Sequence, residues 1–240
     1  MRAKEGGNFK AVPLPEPQTT VARCYSVIHI GTIPNVFGGQ VKGEVEKMHI
    51  TWEMPKLLGI FDDDKGPQPF VVGLELTLST NKESNLAKLI SQWRGKPFTT
   101  DEQKSFDPSI MVGKKCLISF VHKTKKKYAG QNLTEITNAN TVLDFNTIMQ
   151  LPKEMECPAQ INESYVWDWE PIVEGRKPFD KAHFEKMPNW IQEKIKTSNE
   201  FKRYAAHLFT DQTAQQGGTQ QAAAAPAAPP AAPIATDGDW

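Results

Sequence analysis

A lysine-rich segment with a tyrosine at its end offers the clearest binding chemistry in this sequence. Residues 123–128 read Lys-Thr-Lys-Lys-Lys-Tyr, so four ammonium groups precede one aromatic ring. Lysines can track the phosphates of a single nucleic-acid strand, and flat rings can stack on its bases. The alternative is a solvated turn, which lysines often decorate. Because a ring stands beside the cations, we favour binding. The residues concerned are Lys123, Lys125, Lys126, Lys127 and Tyr128.

Further groups combine cations with aromatic rings. Trp93 precedes two cations, although its indole also completes the apolar stripe of a predicted helix. Phe37 stands in a glycine-rich connection that could close over a strand of DNA. Trp52 ends a strand, where it could be a core or a stacking residue. The candidate DNA-binding residues in these groups are Trp93, Arg94, Lys96, Phe37, Lys42, Trp52, Lys114 and Lys115.

The chain ends on an aromatic ring among carboxylates. Residues 210–236 are rich in Gln, Ala and Pro, and Asp-Gly-Asp-Trp follows them. Such a stretch buries too little apolar surface to offset its ordering entropy, so we expect a disordered linker. A terminal indole beside negative charge suits a basic-rimmed apolar pocket on another protein; the alternative is a tail that ends in Trp by chance. The predicted partner-binding residues are Asp237, Asp239 and Trp240.

Charge is balanced over the whole chain but is unevenly placed. The first 210 residues carry a net charge of +3, because three acids and no bases follow them. A strongly basic nucleic-acid domain has a pI above ~9, so any contact with DNA must come from a local stripe. The acidic end of the chain could then compete with DNA for that stripe.

Composition indicates a cytoplasmic protein with no membrane partner. No run approaches the ~20 apolar residues of a membrane span, and the first residues lack the apolar stretch of a secretory signal. The three cysteines, Cys24, Cys116 and Cys157, are widely spaced. We interpret them as reduced, buried thiols rather than as a zinc site.

Motifs of catalysis are missing from the sequence. It has no Walker-type loop, no GxSxG, no HExxH and no zinc-ligand spacing. The one acidic run, Asp62-Asp63-Asp64, lacks the spacing and the later Glu of a calcium loop, which favours a solvated turn. We therefore predict a protein that is not an enzyme, with no catalytic residues, no metal and no cofactor.

Alternating hydrophobicity predicts a mainly β fold to position these residues. Strands are expected at 21–30, 44–53, 70–78 and 116–122, and residues 128–136 should return as the hairpin partner of the last. Residues 31–43 should form a loop or hairpin connection. The predicted core helix begins at residue 82 or 84 and ends near Trp93, with Gly95 as its stop. Five strands with a helix before the last hairpin form the inventory of an OB-fold-like five-stranded barrel.

The chain divides into five parts on this interpretation. An N-terminal arm (1–19) precedes the OB-like barrel (20–151), and an aromatic and helical appendage (152–209) follows it. The linker (210–236) and the acidic aromatic tip (237–240) complete the chain. The appendage is too short to fold alone, so its tryptophans should dock it on the barrel rather than bind bases. They are Trp167, Trp169 and Trp190.

A β-rich core, a Gly/Gln/Pro/Ala-rich linker and an acidic tip with a terminal aromatic residue together resemble the bacterial and phage single-stranded DNA-binding proteins. The usual bacterial tip ends in Pro-Phe, so the match is of type rather than of letters. The resemblance implies an OB-fold core that coats single-stranded DNA in replication and recombination. It also implies that the tip recruits replication and recombination proteins.

The body of the chain also resembles a family of small phage proteins, over most of residues 1–204. The shared segments are Gly7–Phe9, Val21–Tyr25, Trp52–Pro55, Ser91–Phe98 and Pro188–Ile195. This resemblance implies a phage or prophage origin, and hence the cytoplasm of a host cell. It does not by itself define a function.

Two functions from different classes follow. The first is a phage-encoded protein that binds and coats single-stranded DNA, either as a monomer or as a homo-oligomer. The second is a protein-interaction adaptor without intrinsic DNA binding, such as a replisome or recombinase mediator or an inhibitor of a host protein. The modest charge of +3 favours the adaptor. A virion structural protein would leave the acidic tip unexplained.

Overall fold

The structure, a computed structural model, describes residues 14–124 and 141–209. The first part of the arm, Lys125, Lys126, Lys127, Tyr128, the linker and the tip with Asp237, Asp239 and Trp240 lie outside the described residues. For Lys123 the backbone is described but the side chain is not.

Six strands and six α-helices make up the described chain. The strands are β1 (Gln18–Phe37), β2 (Gln40–Gly59), β3 (Gln68–Thr77), β4 (Lys115–Thr124), β5 (Thr141–Gln150) and β6 (Tyr165–Trp167). The helices are α1 (Asn85–Arg94), α2 (Thr100–Ser105), α3 (Glu170–Val173), α4 (Lys181–Glu185), α5 (Asn189–Lys196) and α6 (Asn199–Tyr204). Short 3₁₀ helices span Pro108–Met111 and Ala206–Leu208.

The strands form one sheet in the order β3-β2-β1-β4-β5. Neighbours along this path are antiparallel, and β6 pairs in parallel with β1 at residues 26–28. Among the described residues no hydrogen-bonded pairing joins β3 to β5, so the sheet is open. The prediction of a mainly β protein is confirmed, while the sheet does not close into a barrel.

The hairpin predicted as one form of the connection at residues 31–43 is confirmed, and most of the connection belongs to two long strands. β1 runs to Phe37, β2 begins at Gln40, and these two residues pair across a two-residue turn. Gly38 and Gly39 have φ of 60° and 77°, a conformation that suits the tight hairpin turns compatible with strand twist. Because β3 pairs with β2 only as far as Lys47, residues 32–46 project as a two-stranded ribbon.

The prediction that β4 returns as a hairpin at residues 128–136, which lie outside the described residues, is wrong. β4 pairs with β5, from Cys116 opposite Gln150 to Thr124 opposite Thr141. Its other edge pairs with β1. The later segment fits because it buries Ile148 and packs Phe145 against the core.

The predicted core helix is confirmed as α1. The Ser84 side chain accepts a hydrogen bond from the Ala87 N–H as N-cap, and Gly95 ends the helix with φ of 72°. Sequence analysis missed α2, which begins with a capping box between Thr99 and Glu102.

Two hydrophobic clusters lie on opposite faces of the sheet. The inner face packs against α1 and buries residues such as Cys24, Trp52 and Ile118. The outer face packs Ile28 and Ile30 of β1 against the appendage. The buried appendage residues in that cluster are Trp167, Trp169, Ile172, Phe184, Met187, Ile191, Ile195, Phe201 and Ala205. Trp167 and Trp169 therefore dock the appendage, as predicted.

Candidate nucleic-acid interface

A row of outer-face side chains crosses four strands near one end of the sheet. Arg23 of β1 pairs with Glu53 of β2 and with Lys115 of β4, and Glu53 pairs with Val71 of β3. Directly opposed residues in antiparallel strands share a face. The row therefore brings two cations, one carboxylate and one apolar side chain together on the outer face.

Residues 157–162, the covering segment, lie over the middle of this row. Glu53 accepts hydrogen bonds from the Ile161 N–H (2.8 Å) and from the backbone and side-chain amides of Asn162 (both 2.7 Å). Arg23 donates to the Pro158 carbonyl at 3.0 Å. The charged groups of Arg23 and Glu53 are thus hydrogen-bonded to the covering segment. Lys115 at one end of the row and Val71 at the other are exposed.

Three cations gather beside this covering segment. Burial raises the pKa of the Cys157 thiol, and the positive charges of Arg23, Lys115 and Lys56 oppose that rise. All three charges therefore lie close enough to the Cys157 thiol to affect its pKa. Lys56 is an exposed β2 residue that sequence analysis missed, because it stands apart from other cations in the sequence. Lys114, next to Lys115, is half-buried.

The structure removes three predicted residues from the exposed surface. Trp52 is fully buried, and Trp93 is only 5% exposed with its Nε1 donating to the Lys115 carbonyl at 2.8 Å. Neither ring presents a free face to a base, because both pack within the inner cluster. The Arg94 side chain is 6% exposed and pairs with Glu102. It is therefore directed to α2 rather than to a phosphate.

Other predicted residues are exposed but lie on separate elements. Phe37 is 76% exposed at the end of the ribbon, beside exposed Val36 and Val41. Lys42 is exposed on the ribbon and donates to Gln40 Oε1 at 3.1 Å. Lys96 is exposed just after α1.

An exposed indole on the appendage was expected to be a docking residue. Trp190, near the start of α5, is 56% exposed. Its ring meets His49 of β2 edge to face, with centroids 5.0 Å apart. Of the three appendage tryptophans it is the one that docking does not bury. The sequence does not predict this exposure, because a tryptophan in the first turn of a helix after a proline can be either buried or exposed.

A cleft of about 660 Å³ opens between the sheet, residues 104–109 and the appendage. In its wall His29 Nε2 lies 2.9 Å from Glu46 Oε1, and His29 Nδ1 lies 3.4 Å from Asp168 Oδ1. Burial alone would lower the pKa of His29, but the hydrogen bonds and charges of Asp168 and Glu46 outweigh it and raise the pKa to about 9. The imidazole is therefore a cation at neutral pH that ties the appendage to two strands.

The buried thiols are poor nucleophiles. Burial raises the pKa of Cys24 to about 12 and raises that of Cys116 well above its usual range. A thiol acts as a nucleophile or metal ligand only as the thiolate. Across residues 14–124 and 141–209, no three His, Cys, Asp or Glu side chains are grouped to hold a metal ion.

Within the described residues, no helix has the length and apolar character needed to cross a membrane. Comparison with protein-family models, with curated proteins and with solved structures finds no match to this chain.

Proposed function

We propose that this protein binds single-stranded DNA without sequence preference and coats it, acting without catalysis. The observation that carries the proposal is the connectivity of the sheet. β1 pairs with both β2 and β4, and α1 lies between β3 and β4. The OB-fold, a partly open barrel, has the same strand pairing and the same helix position in the sequence. OB-folds bind oligonucleotides on their sheet surface and adjoining loops.

Surface charge supports the proposal locally rather than globally. Lys56 and Lys115 are exposed beside Arg23, and the lysine-rich segment begins with the last two residues of β4. A few cations suffice for a strand-tracking site, since each neutralised phosphate releases counterions. The tip would then recruit replication or recombination proteins, and many tips on one coated strand would raise the effective concentration of a partner.

Titration of a fluorescent oligo-dT of about thirty nucleotides at several salt concentrations tests the proposal, with the matching duplex alongside. We expect salt-sensitive binding that prefers the single strand. Lys56→Gln and Lys115→Gln should each reduce the slope of log affinity against log salt by about 0.7. The control is Lys65→Gln, because Lys65 pairs with Asp62 in the acidic turn. Absence of binding at low salt, also for a chain without its tip, would overturn the proposal.

A second candidate, the protein-interaction adaptor, is favoured by one observation. Val36, Phe37 and Val41 expose three apolar side chains together at the end of the ribbon, and such patches commonly mark protein-binding surfaces. If DNA binding fails, the ribbon end and the tip are the surfaces on which to seek a partner.

A further inference from the structure

Trp190 combines large exposure with a rigid support. α5 is anchored by Ile191 and Ile195, which are 2% and 0% exposed in the outer cluster. The indole stands on the same helix but points away from that cluster to the sheet surface, where it meets His49. An exposed tryptophan on a fixed helix loses little side-chain freedom when a flat ligand stacks on it.

The surface beneath Trp190 is shaped by a glycine. Gly73 of β3 faces His49, and a Cβ at this position would lie 2.5 Å from His49 Cε1. The imidazole therefore occupies the space that a side chain at position 73 would need, and its plane is inclined by 79° to that of the indole. Burial lowers the pKa of His49 to about 4, so the ring is neutral at neutral pH. The result is an uncharged aromatic pair at the open β3 side of the outer face.

An ion pair lies on one side of this aromatic pair and an apolar side chain on the other, toward the cations beside Cys157. Lys194, one turn after Trp190, pairs with Glu75 on β3. In the other direction, exposed Val71 is two residues, or about 7 Å, from Gly73 along β3. Val71 belongs to the row that contains Arg23 and Lys115. Exposed Lys56 lies on β2 beyond Glu53, the partner of Val71.

We propose that Trp190 is a base-stacking residue of the DNA-binding surface, supplied by the appendage rather than by the sheet. This inference rests on the proposed function. A base would stack on the open face of the indole, while the adjoining phosphates pass toward Lys56 and Lys115. The appendage thereby supplies an aromatic surface to a sheet whose own tryptophans, Trp52 and Trp93, are buried.

Fluorescence of the full chain tests this directly. Within the described residues Trp190 is the exposed tryptophan, since Trp52, Trp93, Trp167 and Trp169 are all 5% exposed or less. In a Trp240→Phe background, oligo-dT should quench the emission, and Trp190→Phe should abolish most of that quenching. Trp190→Ala should weaken binding about 5- to 150-fold, as loss of one stacked base predicts, whereas Trp190→Phe should retain most of the affinity.

Val173→Ala is the matched control, because Val173 is an exposed apolar residue on another appendage helix. It should leave affinity and quenching unchanged. If the parent chain binds oligo-dT but Trp190→Ala, folded by its thermal transition, binds equally well, the inference is overturned and the proposed function stands. If the parent chain does not bind at all, the proposed function fails first.

Discussion

At the scale of single residues, His29 joins three elements that are distant in the sequence. It lies on β1, Glu46 on β2 and Asp168 just before α3. The His29 side chain is 14% exposed, so its charge depends on these two carboxylates. Asp168 also accepts the Glu170 N–H and so holds the start of α3. The ion pairs therefore fasten the appendage to the sheet.

We expect His29→Gln to lower the free energy of unfolding by about 1–2 kcal/mol, since both carboxylates are partly exposed and screened. The pKa of His29 is raised in the folded protein, so its charged form stabilises the fold. That contribution is complete below about pH 6.5 and declines as pH rises toward 9. Urea denaturation of both proteins from pH 5 to pH 10 measures it. A difference that does not change with pH would contradict this role.

At the scale of elements, the ribbon of residues 32–46 is the least supported part of the sheet. An isolated pair of strands is marginally stable in water. Glu200 of α6 supports its base, accepting hydrogen bonds from the Thr32 N–H (2.7 Å) and hydroxyl (2.8 Å). Nothing described lies within 4 Å of the Cβ positions at Gly38 and Gly39. The choice of residue at these two turn positions is therefore restricted by the positive φ of the backbone and not by neighbouring atoms.

Two substitutions at Gly38 separate these causes. Gly38→Asn should be tolerated, because Asn adopts positive φ readily, whereas Gly38→Val should destabilise the ribbon by about 1–2 kcal/mol. Amide hydrogen exchange of residues 32–46 measures the effect, and the amides of α1 serve as the internal control. Equal exchange rates in the two variants would show that the turn does not need a left-handed residue at position 38.

At the scale of the whole molecule, the acidic end of the chain and the cations of the sheet are opposed in sign. Residues after 210 contain three acids and no bases, and the first 210 residues carry +3. We therefore predict that the tip competes with DNA for the proposed DNA-binding surface.

Removal of residues 210–240 should tighten binding to oligo-dT at low salt and have little effect at high salt, where charges are screened. The full-length chain with Asp237→Asn and Asp239→Asn should reproduce most of the gain. Fluorescence anisotropy at two salt concentrations measures both. Unchanged affinity in the truncated chain would exclude competition by the tip.

Local patterns predicted those features that depend on neighbouring residues. Ser84 and Gly95 bounded α1 because caps and stops act within one helical turn. Alternation predicts the second strand from residue 44. Composition leaves residues 31–43 as either a loop or a hairpin, because a Gly-Pro-Asn-rich stretch suits both, and only the partner strand shows how far the pairing extends. The return strand was placed too early for a similar reason. Its position at Thr141–Gln150 depends on which segment buries Ile148 against the core.

The sequence by itself determined a mainly β chain with a capped helix, buried cysteines and an appendage docked by aromatic residues, because periodicity and composition record which side chains avoid water. Tertiary structure alone decided which aromatic rings are exposed. Trp52 and Trp93 are buried and Trp190 is open, although all three are indoles within a strand or a helix. Exposure depends on what packs across from a residue. Contacts such as Gly73 with His49 join segments whose distance in the sequence carries no local signal.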